Sequence, residues 1–125
     1  MAKYVDGFVL PIPKKNLPKY RQMAKFMEKL MKKYGALEYF ECVGDDLNPN
    51  MMGMKFLKFP QLVKAKSNET VVFSFIVFKS RAHRDKVNAM MMKDPVMNDP
   101  KYANMPMPFD MKRMAYGGFK TIVNL

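Results

Sequence analysis

The sequence predicts an α+β protein of the ferredoxin-like type, with a four-stranded antiparallel sheet and two helices on one face. Three observations lead to this prediction. The predicted elements follow the order strand, helix, strand, strand, helix, strand, which is the βαββαβ order of that fold. The chain has 125 residues, a typical length for one domain, and no linker or repeat divides residues 1–125. The third strand is apolar on both faces, which predicts that a second copy of the chain packs against it, sheet to sheet.

The first half of the chain predicts a strand, a helix and a second strand. Val5 to Ile12 is an apolar strand that two nearby prolines are expected to end. Asn16 is a residue type that begins helices, and Gly35 is a residue type that ends them. Between these two residues the apolar side chains recur at steps of three and four, as on one face of a helix: Leu17, Tyr20, Ala24, Met27, Met31 and Tyr34. Leu37 to Val43 then predicts the second strand.

The second half predicts one more helix between two strands. Its parts are the connection 44–69, the strand Val71 to Phe78, a helix from Arg81 to about Lys93 with Ser80 as its N-cap, the Pro-rich segment 94–112 and a last strand from Arg113 to Val123. Within the first connection, Gln61 to Ala65 fits either a helical turn or a short strand, and the sequence does not decide between them.

Both faces of the third strand are apolar. One face carries Val71, Phe73, Phe75 and Val77, and the other carries Val72, Ser74, Ile76 and Phe78. Two helices can cover only one face of a sheet, so we expect a second copy of the chain to cover the other. The sequence does not say which face meets the partner. The alternative is that one of the two long connections folds over that face.

The formal net charge is +11, and it is unevenly distributed. Residues 14–33 hold eight basic residues and one acid, whereas residues 36–50 hold four acids and no base. Four lysines of the basic segment form a row away from the apolar helix face, and we predict that they are solvated: Lys15, Lys19, Lys29 and Lys33. Nucleic-acid binding is an alternative function, but no nucleic-acid motif is present and the acidic segment would repel phosphate.

The composition also bears on location and cofactors. The first residues do not have the pattern of a signal peptide, and the longest apolar block is far too short to span a membrane. The single cysteine, Cys42, cannot form an internal disulfide, so we expect a cytoplasmic protein. There are 15 methionines but one histidine and one cysteine, and we therefore predict neither a metal site nor another cofactor.

Few side chains qualify for chemistry. His83 is the single histidine and begins the second helix, where it fits either a general base or a packed histidine bonded to backbone. Asp6, Glu41 and Tyr116 lie on strands among apolar residues, and they are predicted to line a pocket with His83. Alternatively, the carboxylates point to the rim and pair with lysines.

The start of the second helix also carries two arginines. Arg81 and Arg84 are candidates for binding an anion together with the helix amides. The alternative is that they are solvated or paired with acids such as Asp85.

The two long connections are rich in methionine and phenylalanine, which favour burial. They are segments 44–69 and 94–112. We expect them to pack over one end of the paired sheets and close an apolar cavity, or else to extend the dimer contact.

Several segments resemble a known family. They are Tyr4 to Pro11, Gly35 to Tyr39, Glu69 to Ser74, Ser80 to Asp85, and the closing blocks Pro108-Phe109-Asp110, Lys112-Arg113-Met114 and Tyr116 to Phe119. Together they resemble the YbaA-like family of uncharacterised bacterial proteins, over nearly the whole chain. The resemblance implies a dimeric α+β barrel and no particular activity. The wider barrel superfamily includes cofactor-free monooxygenases and lactone isomerases, but that analogy concerns the fold.

These observations favour a homodimer that binds a small, partly apolar molecule in a cavity between the sheets. Cofactor-independent oxygenase or isomerase chemistry is compatible with such a cavity, and the sequence leaves open whether the protein is an enzyme. A dimeric interaction protein without catalysis and a basic nucleic-acid binder are the alternatives.

Overall fold

The structure is a computed structural model that describes residues 2–125. Within these residues the fold consists of four strands and four helices. The strands are β1 (Tyr4–Pro13), β2 (Glu38–Val43), β3 (Glu69–Phe78) and β4 (Ala115–Lys120). The helices are α1 (Leu17–Tyr34), α2 (Phe59–Leu62), α3 (Arg81–Met92) and α4 (Pro100–Ala103), and short 3-10 helices occur at Lys14–Asn16, Pro95–Asn98 and Met111–Arg113.

The four strands form one antiparallel sheet in the order β2-β3-β1-β4. The central pair, β1 and β3, is matched over ten residues, from Tyr4 opposite Phe78 to Pro13 opposite Glu69. The long helix α1 connects β1 to β2, and α3 lies between β3 and β4 in the chain. This arrangement confirms the predicted ferredoxin-like βαββαβ fold.

The buried core lies between one face of the sheet and helices α1 and α3. It has two clusters. One cluster contains Leu30, Met31, Ile76, Phe78, Val87 and Met91, and the other contains Leu10, Ile12, Tyr20, Ala24 and Val72. The predicted apolar stripe of α1 is therefore correct, although it omitted Leu30, which is buried as well.

The opposite face of the sheet, which we call the open face, lies away from α1 and α3. Register places these residues on it: Val5, Gly7, Val9, Pro11, Pro13, Glu38, Phe40, Cys42, Glu69, Val71, Phe73, Phe75, Val77, Ala115, Gly117 and Phe119. Three of its aromatic side chains stay well exposed, with Phe40 at 47%, Phe73 at 44% and Phe119 at 63%. Phe75 belongs to this face and Ile76 to the core. The structure therefore shows which of the two apolar faces of β3 the helices cover.

Part of the open face is covered by the connection after β2. The segment predicted as a helical turn or a strand begins within a helical turn, α2, and the Phe59 ring lies 6.2 Å from the Phe73 ring. Val63 and Val71 are buried at this end of the sheet. The remaining aromatic surface has no such cover among residues 2–125.

The end of α1 and the start of α3 are capped as the sequence predicts, but the start of α1 is not. Gly35 has a φ of +99°, the left-handed conformation that glycine adopts without strain, and it ends α1. The Ser80 hydroxyl accepts a hydrogen bond from the His83 amide at 3.1 Å and so caps α3. The Asn16 side chain instead donates to the carbonyl of Pro108 at 2.8 Å, which ties the second connection to the start of α1.

Two strand ends also differ from the predicted ones. β1 runs through Pro11 to Pro13, because β4 pairs with β1 only from Tyr4 to Val9. Beyond Val9 one edge of β1 is free, and a proline there need not remove a ladder hydrogen bond. β4 is shorter than predicted and ends at Lys120.

The two long connections lie on different sides of the sheet. Phe59 of the first packs on the open face, whereas in the second the Tyr102 ring stacks on Phe26 of α1 at 4.2 Å and the Phe109 ring lies 5.8 Å from Tyr20. They do not meet over a common cavity. No helix in the described part of the chain is both long and apolar enough to cross a membrane.

Candidate functional site

A groove between α1 and the edge strand β2 contains one of the predicted polar residues. We call it the Glu41 groove. Its volume is about 470 Å³, which lies within the range of small-molecule sites. Apolar side chains line it, namely Leu17, Ala24, Val43 and Val72, together with the rings of Tyr20 and Tyr39. Its charged lining residues are Arg21, Lys25, Glu28 and Glu41.

Two tyrosines hold the Glu41 carboxylate. The Tyr20 hydroxyl donates to Oε1 at 2.6 Å, and the Tyr39 hydroxyl donates to Oε2. Tyr39 and Glu41 lie two residues apart on β2 and therefore share a face, and α1 places Tyr20 over that face. Burial, reinforced by the hydrogen bonds to Glu41, raises the pKa of both tyrosine hydroxyls. Both tyrosines therefore remain protonated and act as donors.

Asp6 and Tyr116 belong to a second cluster, around Arg84 of α3. Asp6 on β1 is 1% exposed, and its Oδ1 lies 2.6 Å from Nη1 of Arg84. The same nitrogen lies 3.3 Å from the Tyr116 hydroxyl, and Nε of Arg84 binds Asp85 at 2.7 Å. The guanidinium also lies 4.9 Å from the centre of the Tyr4 ring. Two carboxylates thus already neutralise the arginine that was predicted to bind an anion.

His83 has a backbone partner. Its Nδ1 accepts a hydrogen bond from the Lys79 amide at 3.0 Å, and its ring lies edge-on to Phe78 at 5.9 Å. This geometry matches the alternative of a packed histidine. Arg81, the other predicted anion-binding residue, is exposed at the first position of α3.

The predicted site residues therefore fall into separate places. Asp6, Tyr116 and Arg84 meet near β4, at one edge of the sheet, whereas Glu41 lies on β2 at the other edge. All of these side chains lie on the helix side of the sheet, not on the open face. Tyr20 was predicted as part of the apolar face of the first helix, and Tyr39 was not among the predicted site residues. The alternation of Tyr39 and Glu41 on one strand face was the signal available in the sequence.

The described residues do not form a candidate metal site. Within residues 2–125, no three side chains of histidine, cysteine, aspartate or glutamate come together as metal ligands would.

The open face is an aromatic surface. Phe40 stacks on Phe75 at 4.9 Å across β2 and β3. The Phe119 ring lies across two glycines, since side-chain Cβ atoms built at Gly7 and Gly117 would be 3.5 and 3.6 Å from it. Both distances are ordinary van der Waals contacts, and the outer side of the Phe119 ring stays exposed.

The fold is that of a ferredoxin-like α+β protein, and its two candidate binding surfaces are the Glu41 groove and the open face. A crystal structure described as that of a dimeric ferredoxin-like protein, from an uncultured marine organism, aligns with this chain with a TM-score of 0.60. The two chains are 12% identical, and the alignment covers 100% of each. At that identity the likeness concerns the fold.

Sequence comparison places the chain within a family. The family model "Protein of unknown function (DUF1428)" matches residues 3–111. The uncharacterized protein YbaA of Escherichia coli (strain K12) is 44% identical over 122 residues, which cover 98% of each protein. YbaA of Shigella flexneri matches with the same identity and coverage. The chain belongs to the DUF1428 family and is a YbaA-like protein, as the resemblance of its sequence blocks predicted.

Proposed function

We propose that this protein is a homodimer whose two open faces pack against each other, sheet to sheet. The exposed aromatic side chains of the open face carry this proposal, because a monomer rarely leaves so much contiguous apolar surface in water. A second copy offers the same surface, and a two-fold axis pairs them without leaving either uncovered. The dimeric state named for the marine protein of the same fold supports this arrangement.

A charge on the open face tests the dimer. Light scattering of the protein should give roughly twice the chain mass of 14.6 kDa. Phe40→Lys should give a monomer, because the contact would bury an unpaired charge. Met92→Lys is the matched control, since Met92 is 68% exposed at the end of α3 on the helix side and should leave the dimer intact. A monomeric wild type, or a Phe40→Lys variant that stays dimeric, would contradict the proposal.

We also propose that each protomer binds a small, partly apolar molecule, and that it does so in the Glu41 groove. This proposal is supported by the Glu41 carboxylate, which accepts hydrogen bonds from two tyrosines at the wall of a groove of about 470 Å³. The groove replaces the cavity between the sheets as the favoured location. Apart from Glu38 on the edge strand β2 and Glu69, which is paired with Arg113, the open face carries apolar side chains, glycines and Cys42. A filled contact between the sheets is therefore the better expectation.

Blocking the groove tests ligand binding. The protein is mixed with a bacterial metabolite extract and washed, and the retained compounds are identified by mass spectrometry. Val43→Trp should abolish retention, because Val43 is 55% exposed and lines the groove, so that the indole would fill it. Met92→Trp adds the same side chain outside the groove and should retain what the wild type retains. Equal retention by both variants, or none by the wild type, would defeat the proposal.

Catalysis is a narrower proposal within the same groove. Because their raised pKa keeps Tyr20 and Tyr39 protonated, Glu41 is the member of this trio that is suited to accept a proton. Cofactor-independent isomerase or oxygenase chemistry would therefore begin with Glu41 as the base. We favour binding over catalysis because one carboxylate and two donors provide recognition without a second acid–base group.

Two observations favour this function over polyanion binding. One lysine of the basic row, Lys33, forms an ion pair with Asp94 at 2.9 Å. The exposed acids Asp45 and Asp46 follow β2 and add negative charge to that side of the chain. We place the protein in the cytoplasm, where the free thiol of Cys42 would stay reduced.

A further inference from the structure

We infer that the ligand of the Glu41 groove carries an organic ammonium group, which Glu41 binds, on an apolar body. This inference rests on the proposed ligand-binding function and specifies the chemical class of the ligand. It comes from the pattern of charge pairing across the molecule, from the hydrogen-bonding capacity of Glu41, and from the walls of the groove.

Glu41 is half-buried and lacks the cationic partner that each of three more deeply buried acids has. Asp6 pairs with Arg84 at 2.6 Å, Glu69 with Arg113 at 2.7 Å and Asp94 with Lys33 at 2.9 Å. In the described residues, no lysine or arginine nitrogen lies within ion-pair distance of the Glu41 carboxylate. A half-buried carboxylate without a cation is costly to keep, and a cationic ligand would offset that cost.

Side chains of the protein supply only part of the hydrogen bonds that the Glu41 carboxylate can accept. Each oxygen of an ionised carboxylate can accept about two hydrogen bonds, and each oxygen of Glu41 receives one from a tyrosine. An ammonium group has three N–H donors and no acceptor, so it matches the remaining positions. The Tyr20 and Tyr39 rings line the same groove, and tyrosine rings attract cations through their faces.

The walls of the groove define the rest of the ligand. Leu17, Ala24 and Val72 present apolar surface that suits an alkyl or aromatic body. Arg21, Lys25 and Glu28 also line the groove, but all three are exposed on α1. Water and salt screen exposed charges far more than a half-buried one, so the charge of Glu41 dominates recognition.

Three probes that share a phenyl ring and differ in their polar group test this inference. Phenethylamine, 2-phenylethanol and 3-phenylpropionate are titrated separately into the full-length protein at pH 7, and amide shifts are followed by NMR. Phenethylamine should shift the amides of α1 and β2 around the groove and bind at least about tenfold more tightly than the alcohol or the acid. A hydrogen bond to a charged group contributes enough for that difference.

Two variants give the matched controls. Glu41→Gln keeps the shape of the side chain and removes its charge, and it should weaken phenethylamine at least about tenfold while leaving 2-phenylethanol unchanged. Tyr39→Phe keeps the charge and removes one donor, so it should still prefer the amine, and it provides the test if Glu41→Gln fails to fold.

The outcomes separate the two proposals. If the alcohol or the acid binds in the groove as tightly as the amine, ligand binding stands and the ammonium inference is overturned. If Glu41→Gln or Tyr39→Phe lacks the stated effect, the inference is likewise overturned. If no probe shifts the amides of the groove while the metabolite experiment still retains a compound, the ammonium class alone is wrong. If neither experiment detects binding, both proposals fail.

Discussion

At the scale of single residues, buried carboxylates form ion pairs that connect separate elements of this protein. Asp6 is the most deeply buried of them and lies in the centre of the sheet, on β1. Its partner Arg84 comes from α3, so their ion pair ties the helix layer to the sheet. A buried ion pair adds little net stability, but removing one member leaves the other charge uncompensated.

We therefore predict an asymmetric response to mutation at this pair. Arg84→Met should destabilise the fold by roughly 3 kcal/mol, because it strands the buried Asp6 carboxylate. The double variant Asp6→Asn, Arg84→Met should regain part of that loss, since the stranded charge is gone. The free energies of unfolding in urea measure both effects. A double variant less stable than Arg84→Met would show that Asp6 is satisfied without the arginine.

At the scale of elements, α1 presents three different surfaces. Its apolar face packs on the sheet, its Tyr20 reaches Glu41, and its outer face carries exposed lysines. Three of the four lysines in the predicted solvated row have no ion-pair partner among residues 2–125, namely Lys15, Lys19 and Lys29. Lys33 differs, because it binds Asp94.

We predict that the three unpaired lysines are dispensable for folding. Changing Lys15, Lys19 and Lys29 to Gln should alter the free energy of unfolding by no more than about 0.5 kcal/mol per site, as is usual for exposed positions. Adding Lys33→Gln should lower the unfolding midpoint further, because Asp94 loses its cation. Urea unfolding of the triple and quadruple variants gives the comparison. A large loss in the triple variant would mean that the row is packed or paired.

At the scale of the whole molecule, two carboxylates hold the second half of the chain in place. Glu69 of β3 forms a two-point contact with Arg113, just before β4, and this contact lowers its pKa from 4.5 to about 2. Asp94, at the start of the Pro-rich segment, accepts hydrogen bonds from the Tyr34 hydroxyl, the Val96 amide and Lys33. These bonds lower its pKa from 3.8 to about 2.

These shifts predict a loss of stability in acid. Because the folded-state pKa values lie below those of the unfolded chain, the stabilisation is complete above about pH 4.5 and is lost as pH falls toward 2. The urea unfolding midpoint of the wild type should fall across this window. The variant Glu69→Gln, Asp94→Asn should start lower at pH 7 and fall less steeply. Parallel curves for the two proteins would assign acid sensitivity to other groups.

The sequence by itself determined the element order, the family and the face of α1 that is buried. Local signals decide these features, since apolar spacing, Gly35 and Ser80 specify where helices run and stop. The same alternation showed that β3 is apolar on both faces, from which the homodimer was predicted. The sequence also selected Asp6, Glu41 and Tyr116 as strand residues with polar groups among apolar neighbours.

The tertiary structure alone decided what these residues meet. Asp6 and Arg84 are 78 residues apart, and Tyr20 and Glu41 are 21 apart, so only the packing of helices on the sheet brings them together. It also decided that Ile76 faces the core and Phe75 the open face, because alternation defines two faces without saying which one the helices cover. The two connections likewise lie on opposite sides of the sheet, because their aromatic residues pack against different partners. Long-range contacts of this kind depend on three-dimensional packing, and no local pattern in the chain records them.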